Sequence, residues 1–389
     1  MRIRHYHGGI LSRFNPGVLR TANVVKALAL AGHQVDLITA DPQGTDLRHV
    51  AELVDLPPEV QIFCGGAAPR SGVLRKIPRR FRPSAVEPPG LPVPDRVILF
   101  DPNPATFRDV ENYCRQHGIP LVVDIDEWMG LADFSFASWL TLFPAQYEIF
   151  MRSLPRKISY GLAIGEEMRS HLASDGAETL IVPPLHEHEP KKEAAAHSNN
   201  RVRRTRIVVP GRHKSRLAKD KESLDLTLSA LERYPELKSL LEVDIVGGTD
   251  DPAVLEQMEA LGETASIRNH GRLEWQQTVR LVGGADWLVA LRDPSMRRLK
   301  YGFPSKVTEA LVLGTPVIAN DYSDMRTVLA DPTLGYLVGE LTTDGLADCL
   351  FAAAKHRRDR AEVARAAARL FTPEGMSDSI NALLKKAQV

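Results

Sequence analysis

The run Tyr301 to Asn320, YGFPSKVTEALVLGTPVIAN, constrains this chain more than any other, because it reads as a polar loop, a short helix and a buried strand in immediate succession. Pro304 fixes φ where a helix can begin, and Ser305 offers a capping hydroxyl. The first-turn N–H groups of Lys306 and Val307 are expected to point outward, unpaired. Such a helix start, with an ammonium beside it, favours an anion such as phosphate. Glu309 follows Ser305 by four residues on the same helical face, within reach of a ribose. Gly314 then ends the helix, and Thr315 to Ala319 reads as a parallel-sheet strand buried on both faces. Taken alone, the same residues also suit an ordinary capped helix with a solvated Glu309, so the rest of the chain must decide.

At 389 residues the chain exceeds what one hydrophobic core usually organises, so two domains are expected. Lys plus Arg and Asp plus Glu number 49 each, so no global field argues for nucleic acid. Cys64, Cys114 and Cys349 are widely spaced and in no metal-ligand pattern, which suits buried thiols in a reducing compartment. No apolar run reaches the roughly 18 residues of a membrane span, and the residues after Met1 lack a signal-peptide core. A cytoplasmic protein is the expectation.

Strand and helix patterns alternate along the chain. Ile3 to Tyr6 reads as a strand that breaks at Gly8-Gly9; a helix over Val18 to Ala31 and a strand from Gln34 to Thr39 follow, the opening of a Rossmann-like domain. Gly8 and Gly9 either let a backbone approach a ligand or form a simple tight turn, and the full dinucleotide fingerprint is absent. Further strands are expected at Val97 to Phe100, Leu121 to Ile125, Leu162 to Ile164 and Leu180 to Val182, with helices at Ala105 to His117 and Glu166 to Ala173. The polar stretch from Glu187 to Arg206 reads as a linker. A second alternating series starts at Ile207, passes through Val243 to Val246, Gly247-Gly248 and Trp287 to Leu291, and leads into the opening segment. The end of the chain is Ala-rich and helical.

The segment around Glu309 resembles the nucleotide-sugar signature of retaining family 4 glycosyltransferases, in which a Glu, seven residues and a second Glu precede a G-x-P-V-I run. Glu309 matches the second Glu; Tyr301 stands where the first would fall, and the chain carries the Pro-Ser-Lys form seen in part of that superfamily. The resemblance implies an α/β GT-B fold, with two Rossmann-like, doubly wound domains facing a cleft. An acceptor-binding domain would cover residues 1–186, a linker 187–206 and a donor-binding domain 207–372, with residues 373–389 forming a C-terminal helix that returns to the first domain. It implies a hexosyltransferase-like enzyme that moves a sugar, with retention and without a metal, from a nucleotide-diphosphate sugar to a glycan or lipid-linked acceptor. The donor is then a substrate, no cofactor is expected, and surface polysaccharide or glycoconjugate synthesis is the setting.

Departure of a nucleoside diphosphate develops charge on phosphate, which fixed cations and helix ends stabilise. By resemblance, Arg212 and either Lys219 or Lys221 pair with the diphosphate, alongside Ser305, Lys306 and Val307, while Glu309 takes the ribose and belongs with Arg212 to the catalytic set. Gly8, Gly9, Gly247 and Gly248 are further candidate donor contacts, and His270, in the loop before Gly271-Arg272, is a candidate base contact. In the first domain, Asp124, Asp126 and Glu127 fall at the carboxyl end of a buried strand, where open α/β sheets bind ligands. Asp126 is the candidate to orient or deprotonate an acceptor hydroxyl; a helix cap and loop ion pair is the competing reading of the acidic pair. Residues 70–83, RSGVLRKIPRRFRP, place Arg75, Lys76, Arg79 and Arg80 among apolar side chains, a composition suited to an anionic membrane or lipid-phosphate acceptor. Two other classes compete: a noncatalytic GT-B-like partner protein, kept in play by Tyr301, and a sugar-nucleotide epimerase.

Overall fold

The structure, a computed structural model, describes residues 1–12, 15–48, 50, 55–66, 90–134, 142–187, 204–211, 224–247, 249, 251–262 and 266–388. They divide into two compact units, the first of residues 1–187, 301–303 and 372–389, the second of residues 188–300 and 304–371.

The first unit holds a parallel sheet of seven described strands, β1 (Arg2–His7), β2 (Gln34–Pro42), β3 (Val60–Gly66), β4 (Arg96–Phe100), β5 (Leu121–Ile125), β6 (Tyr160–Ala163) and β7 (Glu178–Ile181), in the order β3-β2-β1-β4-β5-β6-β7. Its helices include α1 (Pro16–Leu30), α2 (Pro104–His117), α3 (Phe143–Ser153) and α4 (Glu166–Leu172). Asn15 and Asn103 start α1 and α2 by accepting N–H groups of the first turn, each followed by a proline that needs no donor partner. Despite its charged sequence, β1 is buried. Arg4 donates to the Pro92 carbonyl at 2.7 Å and to the Tyr113 hydroxyl at 3.0 Å, and burial keeps His5 neutral, its pKa pushed down to about 3.

The second unit repeats the plan with β8 (Thr205–Pro210), β9 (Leu241–Val246), β10 (Ser266–Asn269), β11 (Trp287–Ala290), β12 (Val317–Asn320) and β13 (Gly335–Val338), all parallel, in the order β10-β9-β8-β11-β12-β13. Helices α5 (Leu224–Arg233), α6 (Pro252–Gly262), α7 (Trp275–Gly283), α8 (Ser305–Val312), α9 (Thr343–Lys355) and α10 (Arg360–Phe371) accompany it. Thr205 and Arg206, assigned to the linker from sequence, are instead the first residues of β8, because Arg206 is held at 2.5 Å by the buried carboxylate of Asp244. Gly314, just past α8, has φ +78°, and a Cβ there would stand 2.5 Å from the Arg360 carbonyl oxygen, so the close packing of α8 on α10 requires glycine.

The last helix, α11 (Pro373–Lys386), belongs to the first unit. Met376, Ile380, Leu383 and Leu384 join Val24, Val25 and Leu28 of α1 in one buried core, and the Tyr160 hydroxyl donates to the Lys386 carbonyl at 3.0 Å.

Candidate functional site

Each sheet reverses its strand order once, between β1 and β4 in the first unit and between β8 and β11 in the second, and open α/β sheets bind ligands beyond the carboxyl ends of the strands at such points. In the second unit Gly211 leaves β8 with φ +146° and donates to the Val246 carbonyl at 2.7 Å. Gly247, at φ +113°, donates to the Gly271 carbonyl at 2.7 Å, so the turns after β9 and β10 are tied together. The loop after β11 is pinned to the end of β12 by a reciprocal pair in which Asn320 donates to the Arg292 carbonyl and accepts from its N–H, both at 2.8 Å.

Helix α8 begins beside this edge, one residue earlier than its expected cap. Pro304 occupies the N-cap, and Ser305 is the first helical residue with no capping hydroxyl. Its carbonyl accepts the Thr308 hydroxyl at 3.0 Å. The Val307 N–H, expected to be unpaired, donates to the Pro304 carbonyl at 3.0 Å, because the first turn tightens. Glu309 lies on α8 with one carboxylate oxygen accepting the Trp275 indole N–H of α7 at 2.8 Å. Burial raises its carboxyl above the ordinary range, while the Trp275 bond and the Lys306 charge pull the other way. The Trp275 contact fixes the orientation of the carboxylate; no local pattern links residues 34 apart.

His270, read as a base contact, bonds through Nε2 to Asp244 Oδ1 at 2.6 Å. Asp244 is buried and also takes Arg206 at 2.5 Å and Arg268 at 2.9 Å. Burial disfavours its charge, yet the bonds from Arg268, Arg206 and His270 outweigh that and hold the carboxyl well below the usual range. One ring nitrogen of His270 is therefore engaged in an inter-strand network. Arg212, Lys219, Lys221 and Gly248 lie outside the described residues, as do Arg75, Lys76, Arg79 and Arg80.

At the corresponding edge of the first unit, His7 ends β1, stacks on Phe100 at 5.3 Å between ring centres and bonds through Nδ1 to the Thr21 hydroxyl at 2.8 Å. A Cβ on Gly8 would lie 3.4 Å from the Asp101 carbonyl oxygen, and one on Gly9 would lie 3.0 Å from His7 Nε2, so both glycines run close beside the ends of β1 and β4. The acidic residues at the carboxyl end of β5 separate. Asp124 does not face a ligand: it is fully buried and takes Arg20 Nη2 at 2.6 Å and Nε at 3.2 Å. Asp126 lies past the strand end, partly buried, and burial followed by the charge of Asp101 raises its carboxyl well above the ordinary range. The Tyr147 hydroxyl donates to the Glu127 carbonyl at 3.1 Å and supports this turn. Asp101, which the sequence did not single out, has φ +42° and an N–H bonded to the Asp124 carbonyl at 2.8 Å. Tyr301, in the place of the expected first Glu, packs in the first unit against Trp128 at 4.9 Å and His171 at 6.3 Å.

Two doubly wound parallel-sheet units, with the last helix returned to the first, are the GT-B architecture. Sucrose-phosphate synthase from Thermosynechococcus elongatus superposes over 99% of this chain and 98% of its own with a TM-score of 0.63 at 16% identity. The Anabaena protein HepE, solved in complex with UDP and glucose, covers 99% of both chains with a TM-score of 0.62 at 14% identity. Residues 204–356 match the family model for glycosyl transferases group 1. A D-inositol 3-phosphate glycosyltransferase from Kribbella flavida is 32% identical over 143 residues, which make up 35% of this chain and 32% of that protein. The chain thus aligns with about a third of the length of the curated relatives it matches. The whole chain shares the GT-B fold of these structures, and its match to the glycosyl transferases group 1 model, residues 204–356, lies almost entirely in the second unit.

Proposed function

We propose that this protein is a retaining, metal-independent glycosyltransferase that uses a nucleotide-diphosphate sugar. The observation that carries the reading is Glu309, held by Trp275 on the helix that begins at the carboxyl edge of the second sheet, inside the segment that matches the glycosyltransferase family. A carboxylate fixed in one orientation suits two vicinal ribose hydroxyls. Lys306, Arg212 and one of Lys219 and Lys221 would neutralise the departing diphosphate, with the backbone at Gly247, Gly248 and the start of α8 close to the donor. Uridine nucleotides are the first probes, because HepE was solved with them. Incubation with a panel of nucleotide sugars should show slow release of nucleoside diphosphate that EDTA leaves intact. No release from any donor, or loss in EDTA restored by magnesium or manganese, contradicts the corresponding half of the reading. Tyr301 packed on Trp128 favours one second reading, a noncatalytic GT-B protein that binds a glycosyltransferase, and such a protein would release nothing.

Asp126, beside Glu127, is our candidate for the acceptor hydroxyl, while Gly8 and Gly9 stay among the candidate donor contacts. Asp126→Asn should reduce transfer about a hundredfold, within the range of general base catalysis, and leave donor affinity unchanged. Because the Asp126 carboxyl is raised, the wild-type rate should climb as pH passes its pKa and the variant should lack that limb. Full transfer by the variant removes Asp126 from the reaction.

We further propose peripheral attachment to an anionic membrane at its cytoplasmic face, where a lipid-linked acceptor would lie, through Arg75, Lys76, Arg79 and Arg80. Among the described residues, Leu142 and Ile149 on and beside α3 are 67% and 68% exposed, next to exposed Arg152, Arg156 and Lys157, which fits the same surface. Neutralising the four cations of residues 75–80 should abolish salt-sensitive binding to anionic vesicles, at about 1 kcal/mol per charge. A wild type that ignores such vesicles at low salt refutes the attachment.

A further inference from the structure

His7 closes β1 where the first sheet reverses its strand order. Phe100, the last residue of β4, stacks on its ring with 8° between the planes, and the Thr21 hydroxyl of α1 meets Nδ1 at 2.8 Å. His5, on the same face two residues earlier, is 0% exposed and both its ring nitrogens are sealed in the core; His7, at the strand end, is 5% exposed. Thr21 is fully buried, and among the described residues its hydroxyl bonds to His7 alone. Aimed elsewhere, the hydroxyl proton would be left unsatisfied in the core, so hydrogen-bond economy assigns Thr21 as donor to Nδ1. The ring proton then sits on Nε2, and that N–H has no partner among the described residues. Burial keeps the ring neutral, its pKa pushed down to about 4 against the opposing charge of Asp41. The chain next turns beside this nitrogen. A Cβ on Gly9 would stand 3.0 Å from Nε2, yet the φ of Gly9 is not in the left-handed region, so backbone conformation does not call for glycine there. What the glycine keeps away is a side chain over Nε2. The turn is also clamped: the Gly9 carbonyl accepts the Ala40 N–H at 3.0 Å, and the buried Asp41 carboxylate accepts the Leu11 N–H at 2.7 Å and the Ser12 N–H at 3.3 Å. A fixed, unmatched donor at the reversal point of an open sheet is placed to meet a ligand oxygen.

We propose that His7 is a substrate-binding residue whose Nε2–H donates a hydrogen bond to an oxygen of the donor, either of its diphosphate or of the transferred sugar. The inference rests on the reading of Gly8 and Gly9 as donor contacts and adds a side chain to their backbone. A neutral imidazole offers one donor and one acceptor; with the acceptor taken by Thr21, the ring is committed to donating. Thr21 acts through His7 and is a positioning residue.

Nitrogen-15 NMR of the full chain with labelled histidine tests each step, the His7 signals being assigned by their loss in His7→Gln. In the free protein the ring should be the Nε2–H tautomer, and in Thr21→Val, which keeps the volume, it should become a mixture. UDP, GDP and ADP are then added at saturation, each alone and as UDP-glucose, GDP-mannose and ADP-glucose, with calorimetry to show which of them bind. A bound compound should move the Nε2 signal: a shift with the diphosphate alone assigns the phosphate, and a shift only with the nucleotide sugar assigns the sugar. In nucleoside-diphosphate release from the donor that the wild type turns over, His7→Phe should be at least about tenfold slower, the scale of one hydrogen bond to a charged group. His7→Gln, which returns an N–H donor, should be only about threefold slower. An Nδ1–H tautomer in the free protein overturns the proposal, and so does an Nε2 signal that stays in place when calorimetry shows binding. If none of these compounds binds the wild type, the donor-site reading itself falls and takes this inference with it.

Discussion

Replacing Arg20 by alanine should destabilise the first unit by about 3–5 kcal/mol, the penalty for removing one partner of a buried ion pair. Arg20 and Asp124 have side chains 3% and 0% exposed. The guanidinium spans α1 to the end of β5, and its Nη1 also donates to the Val182 carbonyl at 2.6 Å. Without it Asp124 keeps a carboxylate in an apolar core. Burial already raises the Asp124 carboxyl, with Arg20 opposing; without Arg20 the native state would hold the proton more tightly still. A carboxyl whose folded pKa lies above its unfolded value loses stability as pH rises through that interval. The deficit relative to wild type should therefore be larger near neutrality than at pH 4–5, where model carboxyls titrate. Hydrogen exchange of the β1 and β5 amides reads it directly. Arg20→Met/Asp124→Leu should recover most of the loss, because an apolar pair of similar volume leaves no unpaired charge. A loss under about 1 kcal/mol in Arg20→Ala, at the level of an exposed pair, would show that the ion pair is not structural.

Arg212→Ala should weaken nucleoside-diphosphate binding by about 1.5–3 kcal/mol, the value of a hydrogen bond to a charged group. Arg212 follows Gly211, whose φ of +146° and bond to Val246 put the chain at the carboxyl end of β8, the strand bordering the reversal point. Calorimetric titration checks the value, and unchanged affinity in a folded variant removes Arg212 from the donor site.

The buried parallel strands were plain in the sequence, because Leu121 to Ile125 and Val243 to Val246 are short apolar runs interrupted by single acidic residues. Edge strand β3 was missed: Val60–Gly66 is only partly buried on its side chains and ends in two glycines, so neither a continuous run nor a clean alternation marks it. Helix α3 was missed because its buried aromatic residues, Phe143, Tyr147 and Phe150, face a core that only the tertiary fold assembles. Position two apart on a strand suggested that Asp124 and Asp126 share a face. β5 ends at Ile125, however, so the alternation stops between them, and one carboxylate enters an ion pair with α1 while the other remains at the edge. Trp275 with Glu309 and His270 with Asp244 are long-range pairs with no local spacing to reveal them.

The claim that α8 and Glu309 form the ribose end of a nucleoside-diphosphate site is tested most directly by titrating wild type and Glu309→Gln with the bound nucleoside diphosphate and with its 2′,3′-dideoxy analogue. Hydrogen bonds from ribose hydroxyls to a fixed carboxylate should give the wild type about a tenfold or greater preference for the ribose form, and Glu309→Gln should lose most of it. Equal affinity of the wild type for the two compounds would contradict the placement of the donor on Glu309.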